Sequence, residues 1–109
     1  MPMPRRPGLA TFAILKAIDN GYRHGFDIID VTSLPGGTVY PALGRLENEG
    51  LLESHWEDPR IAQQEGRPPR RYYEIRPAGK RALDEWVRQL RELEQLPASS
   101  RLKAQPRKT

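Results

Sequence analysis

The 109-residue sequence contains no cysteine, which excludes disulfides, thiolate metal sites and cysteine nucleophiles. Histidine is nearly as scarce. His24 and His55 are the only two, and neither stands in metal-ligand spacing with the other or with a carboxylate cluster. Long apolar runs are missing as well. The stretch from Leu9 to Ile18 is broken by Thr11 and Lys16 and stops at Asn20-Gly21, well short of the ~20 apolar residues a membrane span needs. The basic start, Met1 to Gly8, is not followed by an apolar run of signal-peptide length. These shortages describe a soluble chain expected in the cytoplasm, with no membrane partner, metal or cofactor. Catalytic groups are lacking too. Glu57, Asp58 and Glu65 fall in a polar stretch expected to be too exposed and mobile for tuned pKa values. Gly36-Gly37 has neither the lysine nor the preceding strand of a phosphate loop. His24 with Asp27 at i+3 reads as a helix-start interaction or as plain surface. Nothing in this set describes an enzyme.

Charge is present but unevenly placed. The formal net charge is +4, yet Arg101, Lys103, Arg107 and Lys108 lie in residues 97–109, where no acid occurs. Without those four, the body of the chain holds fourteen bases and fourteen acids. Locally the balance differs: Arg67, Arg70, Arg71, Arg76, Lys80 and Arg81 fall within fifteen residues whose one acid is Glu74. A phosphate-binding edge has this footprint. An ordinary solvated hairpin accounts for the charge equally well.

The length suits one domain with one modest core. Leu9, Phe12, Leu15 and Ile18 recur every third position, widened by Ile14, and predict a first helix over residues 9–20 that Asn20-Gly21 stops. A second short helix is expected from Gly25 to Thr32, with Phe26, Ile28, Ile29 and Val31 as its apolar side. Leu34-Pro35-Gly36-Gly37 is turn chemistry. Proline fits only a helix's first turn, so Pro41 predicts that a third helix starts near Gly37 or Thr38, with Thr38 as N-cap. Val39, Leu43 and Leu46, with Ala42, form its core face; Gly50 ends it. Gly44 inside it costs ~1 kcal/mol relative to alanine.

Beyond Gly50 the period changes to that of strands, over residues 51–57 and 70–75, with a polar tip between them. Pro77 opens a fourth helix, in which Leu83, Trp86, Val87, Leu90 and Leu93 make a stripe. The fold class is therefore mainly α with a small β-hairpin: a winged helix-turn-helix of three N-terminal helices, a two-stranded wing and a C-terminal helix. The domain reading is a flexible N-terminus over 1–8, a DNA-binding unit over 9–76, a dimerisation helix over 77–96 and a disordered basic tail over 97–109.

Two short helices around a tight turn suit the major groove, which admits one helix by its N-terminal end. Gly36, Gly37, Thr38, Tyr40, Pro41 and Arg45 lie at that end of the third helix and are the candidate DNA contacts. For Tyr40 the alternative is packing on the core, and for Arg45 solvation. Arg67, Arg70 and Arg71 of the wing are expected to follow the backbone or enter the minor groove. The stripe of Leu83, Trp86, Val87, Leu90 and Leu93 calls for a second copy of the chain. Trp86 reads as dimer core or as one wall of a flat pocket for a small aromatic effector. A competing reading is a winged-helix module that binds protein and not DNA, which the neutral body favours.

His24-Gly25-Phe26-Asp27-Ile28, Pro35 to Leu43 (Pro-Gly-Gly-Thr-Val-Tyr-Pro-Ala-Leu), Arg45-Leu46-Glu47 and Glu49-Gly50-Leu51-Leu52 together resemble the PadR family. Arg67-Pro68-Pro69-Arg70-Arg71-Tyr72-Tyr73 and Pro77-Ala78-Gly79 are similar to that family's wing and last-helix start. The resemblance spans about residues 9–96. It implies a homodimeric winged helix-turn-helix regulator, usually a repressor on a palindromic operator, with the helix of Thr38 and Tyr40 in the major groove. It also implies dimerisation through the C-terminal helix, as in the short subgroup without a separate effector domain. Two departures stand out: Gly44 occupies a position commonly basic or helix-favouring, and Arg76 replaces a usual capping threonine before Pro77.

Overall fold

The computed structural model describes residues 7–97, so the flexible and disordered readings of residues 1–6 and 98–109 lie outside them. Seven elements occur in order: α1 (Leu9–Asp19), α2 (Gly25–Thr32), α3 (Gly36–Asn48), β1 (Leu52–Trp56), α4 (Pro59–Gln64), β2 (Arg71–Ile75) and α5 (Pro77–Glu94). Two of the stops have the same construction. Gly21 after α1 and Gly50 after α3 take φ of 103° and 79°, a region that favours glycine. The N–H groups of Tyr22 and Leu51 then turn back to the carbonyls of Ala17 and Leu46, each at 3.0 Å. This closure satisfies carbonyls that a helix end otherwise leaves unpaired.

The core gathers Ile14, Leu15 and Ile18 of α1, Ile28 of α2, Val39, Leu43 and Leu46 of α3, and Leu52 of β1. Each such side chain stabilises the fold by about 1.5–3 kcal/mol through burial. The expected stripe of α1 is correct from Phe12 inward, but Leu9 projects away and is 81% exposed. On α2 Ile28 is the one large apolar side chain buried in full, between α1 and α3; Phe26 and Val31 are exposed.

β1 and β2 pair antiparallel, with Leu52 opposite Ile75, Ser54 opposite Tyr73 and Trp56 opposite Arg71. β2 has a further partner on its other side, where the Tyr73 N–H donates to the Arg23 carbonyl at 2.8 Å and His24 bridges to Tyr72. The residues before α2 thus act as a third edge that ties the wing to the helix-turn-helix. α5 then crosses beneath. Its Gly79 lies so close to the sheet that a Cβ there would sit 2.2 Å from the Leu51 carbonyl oxygen. Lys80 bonds Asp19 of α1 at 3.0 Å, and Ala82, Leu83 and Trp86 enter the core.

Two expectations are corrected. α3 begins at Gly36 with Pro35 as its cap residue, not at Gly37 or Thr38, and Thr38 is not the N-cap. The Pro35 carbonyl accepts from both Thr38 and Val39, which winds the first turn early and leaves Pro41 inside the helix. Pro41 cannot donate to Gly37 four residues back, so the ladder lacks one bond there. The wing tip is not an unstructured polar loop either. Asp58 accepts from the Arg60 N–H at 2.9 Å and starts the short helix α4, which inserts Ala62 into a buried position. An Asp-Pro pair is a helix start, and its capping bond outweighs the polarity of the residues after it.

Candidate nucleic-acid interface

α2 ends at Thr32, whose hydroxyl donates to the Ile28 carbonyl at 2.6 Å and accepts from the Leu34 N–H at 3.3 Å. Ser33 takes a left-handed φ of 60°, and Leu34 and Pro35 lead directly into α3. The turn is therefore Ser33 to Pro35, one step earlier than the glycine pair suggests. Its effect is to aim the N-terminal end of α3 outward. Gly37, Pro41 and Arg45 are exposed along that helix, and Thr38 is half-buried. Arg45 carries no ion pair or side-chain hydrogen bond among the described residues.

Tyr40 takes a mixed role. Its ring lies on the α2 backbone at Gly25, where a Cβ would meet the phenol oxygen at 2.3 Å, and its other edge reaches Gly36 at 3.5 Å. The side chain is nevertheless 48% exposed. Gly25 and Gly36 thus form a bed on which the phenol is held while its face stays open. Gly25 was not legible as a site residue, since its partner lies fifteen positions away in sequence.

The three wing arginines have different surroundings. Arg67 is held within the protein by a bidentate pair to Glu57, with Nη1 2.7 Å from Oε1 and Nη2 2.9 Å from Oε2. Arg70 donates its backbone N–H to the same carboxylate at 3.2 Å, while its side chain has no ion pair or hydrogen bond among the described residues. Arg71 lies over the Trp56 ring at 5.1 Å and 3.7 Å from Glu47 of α3, which brings the outer end of the strand pair beside that helix.

Glu57 corrects the view of this stretch as too exposed for tuned pKa values. It is buried at 8% exposure, also receives the Tyr72 hydroxyl at 3.4 Å, and Arg67 above all holds its pKa down to about 2. A carboxylate that charge and hydrogen bonds hold below its ordinary 4.5 stabilises the fold fully above that value. The contribution disappears as pH falls from 4.5 towards 2. Glu57→Gln is therefore expected to lower the melting temperature at neutral pH and to flatten its decline between about pH 5 and 2, as thermal melts across that range would show. An unchanged acid slope would assign the decline to other carboxylates.

His24 is likewise buried. Its Nε2 lies 3.0 Å from the Asp27 carboxylate, and its Nδ1 is buried without a hydrogen-bond partner among the described residues. Burial pushes its pKa below 6.5 despite Asp27, and the Arg70 and Arg67 charges add to that effect. Its ring meets Tyr72 edge-to-face, and His55 stacks on the other side of that tyrosine. Among the described residues there is no group of three or more acidic, His or Cys residues able to hold a metal ion, and no helix long and apolar enough to cross a membrane.

The stripe of α5 divides along its length. Leu83 is covered by its own chain and has no surface left for a partner, and Trp86 is 4% exposed in the same core. Both side chains thus pack first within their own chain, Trp86 keeping only an edge at the surface. Val87 is half-buried, and Leu90 and Leu93 project outward. With Pro7, Leu9, Phe12 and an edge of Trp86, the last two line an open apolar groove of about 210 Å³ between the start of α1 and the end of α5.

Comparison with known proteins agrees with this architecture. The family model of the PadR-like transcriptional regulators matches residues 14–85. A PadR-like transcription factor from Bacteroides fragilis is 29% identical, covers 80% of this chain and 84% of its own, and superposes with a TM-score of 0.69. A PadR family regulator from Clostridium difficile R20291 is 25% identical over 80% and 92% of the two chains, with a TM-score of 0.70. The fold is shared by BpsR of Bordetella bronchiseptica, whose DNA binding is regulated by 6-hydroxynicotinic acid, at 19% identity over 94% and 77% of the chains and a TM-score of 0.63. No curated protein matched.

Proposed function

We propose that this chain, which belongs to the PadR-like family of transcriptional regulators, binds a palindromic operator as a homodimer in the cytoplasm and represses the genes beside it. The observation that carries this reading is the exposed N-terminal half of α3, with Arg45 unpaired along it and Arg71 of the wing adjacent to the same helix. Gly36, Gly37, Thr38, Tyr40 and Pro41 approach the major groove, and the free N–H groups of the first turn meet a phosphate. Arg70 and Arg71 neutralise the flanking backbone. Arg67 shapes the wing through Glu57 and makes no direct contact. The protein acts by binding, not by catalysis.

The experiment is a fluorescence-anisotropy titration with DNA from upstream of the protein's own gene, at several salt concentrations. Tight binding that weakens steeply with salt is expected, at roughly 0.9 in log–log slope per neutralised phosphate. Absent or salt-independent binding would turn the reading towards a protein-binding module.

The dimer rests on the groove of Leu9, Phe12, Leu90 and Leu93, whose apolar surface a second α5 would cover. Leu90→Asp is expected to convert the protein to monomers on a sizing column and to abolish tight operator binding, since one half-site remains per molecule. A persistent dimer would place the interface elsewhere. The edge of Trp86 in the same groove suits a small aromatic effector held between the two subunits.

A further inference from the structure

Arg71 is held in a way that a free DNA-binding arginine is not. Trp56 and Arg71 face each other at the outer end of the hairpin, past Ser54 and Tyr73, on the sheet face that looks towards α3. The indole is 62% exposed and supports the guanidinium from one side at 5.1 Å. Glu47 of α3 lies 3.7 Å from the same guanidinium. That separation is too long for a hydrogen bond, and both side chains remain about one-third open to water. The Glu47 carboxylate is itself fixed, because the Ser54 hydroxyl donates to it at 2.6 Å. Tyr40, Gly44 and Glu47 succeed one another along a single face of α3, and nothing stands within 4 Å of where a Gly44 Cβ would be. The recognition helix therefore leads along open surface from Tyr40 to the carboxylate that holds Arg71.

We propose that Glu47 and Trp56 are positioning residues of the DNA interface: Trp56 carries the Arg71 guanidinium, and DNA binding exchanges its Glu47 partner for a phosphate. The inference rests on the regulator reading above. A loose carboxylate pair orients Arg71 in the free protein yet yields to a phosphate oxygen, with which a guanidinium makes short, charge-assisted bonds. Glu47 then sets the affinity from below. It competes with DNA for the same arginine, while Ser54 keeps it in place.

The test is a double-mutant cycle read by operator titration in low salt, with thermal melts to confirm folding. Glu47→Gln can still accept from Ser54 but loses its charge, and is expected to tighten binding roughly two- to fivefold, the worth of a half-exposed ion pair expressed as an equilibrium ratio. In an Arg71→Ala background the same substitution should change nothing. Trp56→Ala should weaken binding towards the level of Arg71→Ala, and Trp56→Phe should restore most of it, since a phenyl face still carries a guanidinium. Equal tightening by Glu47→Gln with and without Arg71 would mean simple repulsion of DNA by the carboxylate and would overturn the exchange. Arg71→Ala with unaltered affinity would also overturn it, while wild-type binding to the operator would leave the regulator reading intact. Loss of wild-type binding altogether would remove both.

Discussion

Gly79→Ala is expected to destabilise the fold by about 3 kcal/mol, the upper end of what overpacking costs, because the added methyl meets main chain. A Cβ at this position would lie 2.2 Å from the Leu51 carbonyl oxygen, 3.1 Å from its carbon and 2.9 Å from Cγ1 of Ile75. A flexible side-chain tip could move aside; the Leu51 carbonyl cannot do so cheaply. It already accepts the Arg76 N–H at 2.9 Å, the bond that sets the start of α5 against the sheet. Relief therefore requires α5 to lift from the hairpin, and with it Ala82, Leu83 and Trp86 would leave the core. For a domain of this size that loss corresponds to a fall in melting temperature on the order of 15 °C. Differential scanning calorimetry of the variant measures it. Gly44→Ala is the matched control, since its Cβ would enter open space in a helix interior and should be neutral or stabilising. Equal melting temperatures for the two variants would refute the close approach of α5 to the sheet.

The second large effect concerns DNA. Arg45→Ala combined with Arg70→Ala should remove two cations that have no ion pair among the described residues, so their loss leaves no buried partner behind. Stability should change by less than about 0.5 kcal/mol, as at other surface sites. Binding should change strongly. If each meets a phosphate, the slope of log affinity against log salt falls by about 1.8 in total, and affinity drops alike for operator and random DNA. An Arg45 contact to a guanine edge gives a different signature: about 1–3 kcal/mol lost on the operator alone. Titrations of the single and double variants on both DNAs separate these cases. Unchanged slope and affinity in the double variant would move the DNA surface away from α3 and the wing. Arg67→Ala offers a contrast. It strips the buried Glu57 of its bidentate partner and should lower stability first, with weaker DNA binding as the consequence of a disordered wing.

Much of this architecture was already legible in the residues. Apolar spacing located all three N-terminal helices and the long last one, because a helix that must bury one face carries that face in its own order of residues. Turn chemistry at Asn20-Gly21 and at Gly50 placed two ends within a residue, since local backbone demands are answered locally. The motif running from Pro35 to Leu43 indicated the family, which the match over residues 14–85 then showed.

What the residues alone could not supply was the fate of each polar and apolar group after packing. Glu57 reads as surface because it is hydrophilic, and His24 as a helix-start partner of Asp27 or as surface; the Asp27 contact does form, yet the folded wing encloses both residues with partners ten or more positions distant, Arg67 and Tyr72. Leu83 and Leu90 share one stripe, but the chain's own core takes in the first and leaves the second on an open groove beside the start of α1. Pro41 placed the start of α3 too late, because Pro35, on the other side of the glycines, caps it from outside. Gly25 serves Tyr40, Gly79 serves Leu51, and Trp56 meets Arg71 only once the hairpin register is set. Composition and spacing determined six of the seven elements, α4 excepted, and which family they belong to, through short-range backbone and periodicity rules. The tertiary structure decided which arginines are free, which carboxylate holds one back and which leucines remain exposed, because those properties depend on contacts between residues far apart in the chain.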